Sequence, residues 1–538
     1  MPMALQYLVR AALCLLFSVG AAVSPTVELG CNKYTGVAKP YGITQWLGMR
    51  YAAPPVGQLR FMPPEDTSCN GALQVADTHG KICLETQGDP ADNRTSEDCL
   101  FLDVYAPTNA TSHAKLPVFF FIQGGGFNSN SNPDLDGRGL ITASGHSIIV
   151  VTFNYRVGPY GFITDGDAIT PNNGLRDQRK ALEWVQKYIS RFGGDPDHVV
   201  LGGDSAGAAS ISLQMAAFGG RDDHLFDAAA AESVSFATVL TIKESQYQYD
   251  NLAIQAGCVA ANSLACLKSK TAEELQTVNS PIPYPGAAQA PLYMWNPVID
   301  NDIIRDYTYK AFDEGKFVKV PAIFGDDTNG GTIFTPRDTS TLAESDSFLK
   351  SQFPYLSLEQ LGKINDLYPK QNDTCPSAGC YWRQVSDVYG QMRYMCPGLY
   401  ISSAMTRHGV ARSYSYRYDV EDPAQVAQGL GVPHTVELNA IFGPENLGYA
   451  GSAPASYYRN GTNAAVVPVI QAYWTSFIRS FDPNRYRYPG SAIWEVWSER
   501  AQDRLLFETG GKTRMELVDD TTRRRCEYFY SIGLDIRQ

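Results

Sequence analysis

The 538-residue chain has no long apolar run beyond its first two dozen residues. That argues against a bilayer-spanning helix, which needs about 20 such side chains. It also lacks any Lys/Arg run longer than the three residues Arg523-Arg524-Arg525. With 44 basic against 56 acidic residues and a formal charge of -12, composition argues against nucleic acid as a partner. CxxC pairs and His-rich clusters are missing as well, although 11 cysteines and 7 histidines are present. The spacing therefore offers no zinc site, and no metal or organic cofactor is expected. Finally, no Pro- or Ser-rich linker, charge block or repeat marks a boundary. One large α/β domain carrying insertions, residues 23–538, is the expected organisation.

What is present begins with Arg10, the apolar run Ala11 to Val19 and the small residues Gly20-Ala21-Ala22. This is the layout of a cleavable secretory signal over residues 1–22, too short to span a bilayer. The polar tail Asp535-Ile536-Arg537-Gln538 argues against a lipid-anchor signal. Loss of Cys14 with the signal leaves an even ten cysteines, which in an exported chain suggests disulfides; Cys375 and Cys380 are near enough in sequence for a local pair. Acceptors for N-glycosylation stand at Asn93, Asn109, Asn372 and Asn460, each followed two residues later by Thr. The expectation is a secreted glycoprotein.

Short apolar runs at Val118 to Ile122, Ile148 to Tyr155, Val199 to Leu201, Ala228 to Glu232 and Val320 to Gly325 read as buried parallel strands. Between them, Ala181 to Ile189 has apolar positions recurring at three and four, as in a helix. Strand and helix in alternation mean crossovers on a mostly parallel sheet, with ligands beyond the carboxyl ends of the strands.

At one such end stands Gly203-Asp204-Ser205-Ala206-Gly207. A serine on a tight strand-to-helix turn needs glycines on either side, because a Cβ there would meet the adjoining strand or helix. The turn exposes the hydroxyl of Ser205 and aims the N–H of Ala206 at the space where an oxyanion would form. Upstream, Gln123-Gly124-Gly125-Gly126-Phe127 follows a strand, and its glycines let main-chain N–H groups approach a substrate oxygen.

These blocks, with Phe192-Gly193-Gly194-Asp195-Pro196, Glu97-Asp98-Cys99-Leu100-Phe101-Leu102-Asp103-Val104 and Met49-Arg50-Tyr51-Ala52-Ala53-Pro54-Pro55, resemble the type-B carboxylesterase and lipase family. That family comprises α/β-hydrolases, including cholinesterases and secreted fungal lipases, and the resemblance runs from about Val27 to the C-terminal region. It implies an α/β-hydrolase fold, a mostly parallel sheet flanked by helices, and oxyanion donors at Gly125, Gly126 and Ala206. It also implies disulfides Cys83 with Cys99 and Cys258 with Cys266. His434, late in the chain as the Ser, acid, His order requires, matches the family's catalytic histidine. Its role would be general base for Ser205 and then acid for the leaving alcohol. Ser233 matches a serine that supports the acid loop. Phe127, Tyr160 and Phe236 are candidate pocket walls.

Two positions depart from the family. Asp204 stands where relatives usually carry glutamate, a conservative change. Gly330, in Phe324-Gly325-Asp326-Asp327-Thr328-Asn329-Gly330-Gly331, stands where the triad glutamate should be. In a serine protease, losing the acid's orienting role costs roughly 10⁴-fold. Asp326, Asp327 or Glu437 could supply a substitute carboxylate, Ser205 and His434 could work as a dyad, or the site could serve another reaction. A single-base sequence variant is a fourth account. The expected function is a serine carboxylesterase acting on a small-molecule ester through a Ser205 acyl-enzyme. The alternatives are a tailoring enzyme for elimination, acyl transfer or cyclisation, and a catalytically dead binding or adhesion relative.

Overall fold

A computed structural model describes residues 22–538 except 70, 131–133, 167, 260, 371–377 and 449–451. The expected signal, apart from Ala22, lies outside the described residues, as do Cys375 and Asn372. Eleven strands make the main sheet: β1 (Val37–Lys39), β2 (Ile43–Arg50), β3 (Phe101–Pro107), β4 (Leu116–Ile122), β5 (Ile149–Phe153), β6 (Gly194–Asp204), β7 (Ala228–Glu232), β8 (Ala322–Asp327), β9 (Ser413–Asp419), β10 (Asp503–Glu508) and β11 (Lys512–Leu517). Their spatial order is β11-β10-β9-β8-β7-β6-β4-β5-β3-β2-β1. Pairings from β5 through β10 are parallel, and those at the two edges are antiparallel. All five expected strands form. The one around Pro321 runs two residues later than its apolar pattern, because proline has no N–H for the ladder and the chain stays extended through Asp326 and Asp327.

Side-chain size decides where the sheet is tight. Four consecutive alanines in β7, weak strand formers by propensity, are wholly buried between larger neighbours. On β6, a Cβ at Gly202 would fall 2.2 Å from the ring of Phe119 in β4. Helix α1 (Asn173–Tyr188) starts eight residues before the expected Ala181. Its buried Leu175, Gln178, Ala181, Leu182 and Val185 keep the spacing of three and four. Four further helices matter to the site: α2 (Ala206–Gly220), α3 (Trp382–Gly390), α4 (Cys396–Arg407) and α5 (Val466–Ser480). A single π-helical turn, Gln391–Met395, joins α3 to α4.

Both family-implied disulfides, Cys83–Cys99 and Cys258–Cys266, are present, together with Cys31–Cys69 and Cys396–Cys526. The last fixes the start of α4, beside the π turn, to a helix 130 residues away in sequence. Asn93, Asn109 and Asn460 are exposed. Among the described residues no helix is long and apolar enough to cross a membrane.

Candidate active site

Ser205 sits between β6 and α2 with φ 53° and ψ -116°, outside the basins open to an ordinary L-residue. Strain of this kind costs about 1–3 kcal/mol and persists only where the surroundings impose it. Here they do. Ser205 N donates to Glu232 O at 3.0 Å, and Gly203 N donates to the Glu232 carboxylate, also at 3.0 Å. The other oxygen of Glu232 accepts from Trp474 Nε1 on α5 at 2.6 Å. On the helix side, a Cβ at Gly207 would lie 1.9 Å from Ile122 O. Glycine at 207 is therefore compulsory for this turn.

The glycine loop after β4 lies against the nucleophile. Asp204 Oδ1 accepts from Gly124 N at 2.9 Å, and a Cβ at Gly124 would come within 2.9 Å of Ser205 Cβ. Gly125 and Gly126 have φ of 105° and 61°, and any side chain would collide with Ser129 O or the Tyr293 ring. The loop thus holds its main chain where only glycine fits, next to Ala206, the first residue of α2. Phe127, at the end of this loop, lines a small cavity with Ala209 and Phe236. Tyr160 does not join them: its hydroxyl donates to Gln276 at 3.2 Å and its ring packs on Phe61.

His434 is buried, 6% exposed, and among the described residues neither ring nitrogen has a hydrogen-bond partner. Its ring is held by aromatic faces instead. Tyr394, on the π turn, lies over it at 4.1 Å between centroids and 32° between planes, and Phe334 meets it at 5.3 Å and 64°. Burial, with a smaller push from the Arg393 cation, lowers the imidazole pKa to about 3. The ring is therefore neutral at physiological pH, and among the described residues no carboxylate pairs with it to stabilise a protonated form.

Of the candidate acids, Glu437 stands three residues after His434, while Asp326 and Asp327 come from the end of β8. Asp327 Oδ2 accepts from Thr435 N at 2.6 Å and lies 2.8 Å from Ser233 Oγ. The same hydroxyl is 2.7 Å from Glu437 Oε1, which also accepts from Tyr416 OH at 3.1 Å. Burial, reinforced by the neighbouring Glu437 carboxylate, holds the Asp327 pKa well above its ordinary value. Asp326 is buried too, facing Gly398 on α4, and burial raises its pKa strongly. Ser233 thus ties the acid strand to the histidine segment. Asp327 reaches the main chain next to His434 rather than its ring, and Glu437 meets hydroxyls of Ser233 and Tyr416.

Gly330 lies in the loop after β8, which is laced to the chain just before His434. Asn329 N donates to Val432 O at 2.9 Å, Val432 N returns to Asn329 Oδ1 at 3.0 Å, and Thr332 Oγ1 donates to Leu430 O at 2.9 Å. These bonds fasten the loop after β8 to the loop carrying His434. A Cβ at Gly330 would have its nearest neighbour, Tyr394 Cδ2, at 3.5 Å, ordinary van der Waals contact. Sequence reasoning missed Tyr394, Arg393, Phe334 and Trp474. In a single sequence an aromatic or arginine at helical spacing reads as core or surface, and only the fold brings the π turn to His434. Among the described residues no cluster of three or more His, Cys, Asp or Glu is arranged to hold a metal.

Residues 25–529 match the sequence model of the Carboxylesterase family. Secreted lipase 4 of Gibberella zeae is 27% identical over 508 residues, covering 90% of this chain and 88% of the relative. Lipase 1 of Geotrichum candidum is 33% identical over 401 residues, covering 65% and 70%. Among solved structures, that of Aspergillus niger EstA superposes with a TM-score of 0.92 at 39% identity, covering 96% of this chain and 99% of the other. With strand order, nucleophile turn and glycine loop already in place, the chain belongs to the carboxylesterase family of α/β-hydrolases and is a carboxylic-ester hydrolase.

Proposed function

We propose that the protein hydrolyses small-molecule carboxylic esters through an acyl-enzyme on Ser205, with His434 as general base in a dyad lacking the usual acid. The observation that carries this reading is the strained backbone of Ser205, held against a loop in which only glycines fit. Attack by Ser205 Oγ on the ester carbonyl passes its proton to the unpartnered imidazole. The oxyanion is met by N–H groups of Gly125, Gly126 and Ala206, and the imidazolium returns the proton to the leaving alcohol. Tyr394, Phe334 and the laced loops restrict the ring in place of a carboxylate. Asp327 and Glu437 act through Ser233 and Thr435 N on the backbone of the histidine segment.

Residues 1–22 serve as a secretory signal in this reading and residues 23–538 form one catalytic domain, glycosylated at the exposed Asn93, Asn109 and Asn460. Four disulfides and relatives named as secreted lipases support export. A second reading, acyl transfer, elimination or cyclisation, is favoured by the vacated acid position: a weakly basic His434 slows deacylation by water and leaves time for another acceptor. The test is labelling of the secreted protein by a serine-directed organophosphate, followed by mass-spectrometric mapping. The adduct is expected on Ser205 alone, forming more slowly in His434→Gln. An unlabelled Ser205 in folded protein would overturn both enzymatic readings and leave a binding role.

A further inference from the structure

Ser233 has one hydroxyl hydrogen and two carboxyl oxygens waiting for it. Its Oγ lies 2.8 Å from Asp327 Oδ2 and 2.7 Å from Glu437 Oε1, each a full hydrogen bond by distance. A hydroxyl donates only once. Both carboxyl oxygens also accept elsewhere, Asp327 Oδ2 from Thr435 N at 2.6 Å and Glu437 Oε1 from Tyr416 OH at 3.1 Å. With both carboxyls ionised, one of the two short contacts to Ser233 would set lone pair against lone pair. One added proton completes the set: Asp327 Oδ2–H donates to Ser233 Oγ, whose own hydrogen goes to Glu437 Oε1.

The surroundings favour that proton. Ser233, Asp327 and Glu437 are buried, and among the described residues the outer oxygens, Asp327 Oδ1 and Glu437 Oε2, have no hydrogen-bond partner. Two bare charges there would be costly. The groups packed around them are acidic or neutral: Glu232 at the end of β7, Asp326 on β8, Tyr416 and Tyr418 on β9, and Tyr457. Arg504 on β10 faces Asp326 and is paired with Glu516, and Arg393 faces the neutral ring of His434. Burial first, and then the charge of Glu437, keep a proton on Asp327 well above the ordinary carboxyl range.

The same atoms hold two strained residues. Ser233 and Thr435 have φ of 53° and 63°, the left-handed region, where a β-branched threonine is an outlier. Such a backbone persists only where its surroundings impose it. Asp327 Oδ2 fixes the N–H of Thr435, and Thr435 Oγ1 donates back to His434 O at 2.7 Å. This turn follows directly on His434 and leads the chain to Glu437. We propose that Asp327 and Glu437 hold one proton between them through Ser233, which makes them positioning residues for His434, and that its loss to water at alkaline pH slackens the turn and lowers activity. This rests on the reading of His434 as the base of Ser205. Once the proton has left, two carboxylates compete for one hydroxyl, and their repulsion acts between the end of β8 and the histidine segment.

Glu437→Gln tests this, because its amide supplies the missing hydrogen at every pH. The amide donates to Ser233 Oγ and to Tyr416 OH, while Ser233 donates to an ionised Asp327. Buried carboxyls release their protons as late as about pH 8 to 9, so kcat/KM on one short-chain ester is compared at about pH 7 and 9.5 within each protein. For the wild type it is expected to fall by about 10-fold or more between the two, and for Glu437→Gln by less than about twofold. Urea unfolding between about pH 6 and 9 reads the proton without turnover. Unfolded Asp and Glu release theirs near pH 4 while the folded chain keeps one. Stability from the pair is therefore complete below about pH 4 and is lost as pH rises through the raised folded pKa of Asp327. The slope of stability against pH should be shallower in Glu437→Gln by about one proton. A wild-type activity that does not fall, an equal fall in folded Glu437→Gln, or equal slopes would overturn the proposal. If no ester is turned over and the slopes differ by a proton, the shared proton stands and the hydrolytic reading falls. Turnover with equal slopes would leave hydrolysis standing and remove the shared proton.

Discussion

Gly330→Glu is expected to raise kcat on a short-chain p-nitrophenyl ester by about 10²- to 10⁴-fold, the range set by what a triad acid contributes when only its orienting role is removed. The change is favourable at every step that precedes chemistry. A Cβ at position 330 meets nothing closer than 3.5 Å, and the backbone there is not in the left-handed region. The loop is already fastened to residues 430–432 by Asn329 and Thr332. The new side chain would start beside Tyr394, the ring that covers the imidazole of His434, whose nitrogens have no partner among the described residues. It would fix one tautomer and stabilise the imidazolium as it forms. KM should change little, because the substitution acts in the transition state rather than on bound ester. Stopped-flow or steady-state kinetics on purified variants checks this; a gain below about threefold would mean that another group already serves as the acid.

The second large effect is a failure of additivity. In a serine protease, removing the nucleophile costs about 2 × 10⁶ in kcat while removing the acid alone costs about 3 × 10⁴, and the losses do not add. On the dyad reading the acid is already missing, and little is left to lose. Ser205→Ala should therefore cost only about 10²-fold in the natural Gly330 background, and about 10⁴- to 10⁶-fold in Gly330→Glu. The four proteins form a double-mutant cycle, measured on one ester at one pH. Equal losses in the two backgrounds would show that Ser205 does not depend on an acid-supported His434, and the dyad account would fail.

Glycine made much of this site legible before any coordinates. The turn at Ser205 and the loop at Gly124 to Gly126 require residues without a Cβ, and that steric demand is written directly into the sequence; the close approaches at Gly207, Gly125 and Gly126 are its physical form. The parallel strands were legible because their apolar runs are buried on both faces. His434 was singled out among seven histidines by its match to the family's histidine and its place in the Ser, acid, His order. Gly330 was legible only as a departure from a family pattern. What replaces the acid was not legible, since Asp327, Ser233 and Glu437 converge from two strands and a distant loop. The role of Tyr394 and Arg393 was equally hidden. Their neighbours in sequence form helices, and the π turn that rotates them toward His434 has no signature in residue type alone.

The pH dependence of kcat/KM, wild type against Gly330→Glu, tests the central claim most directly. Burial and Arg393 lower the pKa of His434 to about 3, below its unfolded value of about 6.5. The base form is therefore present throughout the range in which the protein is handled. Between these two values the unfolded chain binds a proton at His434 that the folded chain refuses, so stability from this group falls as pH drops from about 6.5 toward 3. Measurements are best kept to about pH 5 to 8, the range in which an ordinary histidine titrates. The account predicts a wild-type profile with no acid limb in that window. In Gly330→Glu the carboxylate favours the imidazolium, and a limb should rise to about pH 6 to 7. A wild-type limb near pH 6 to 7, unmoved by the new glutamate, would contradict the account: His434 would already be paired with a carboxylate, and the site would be a complete triad.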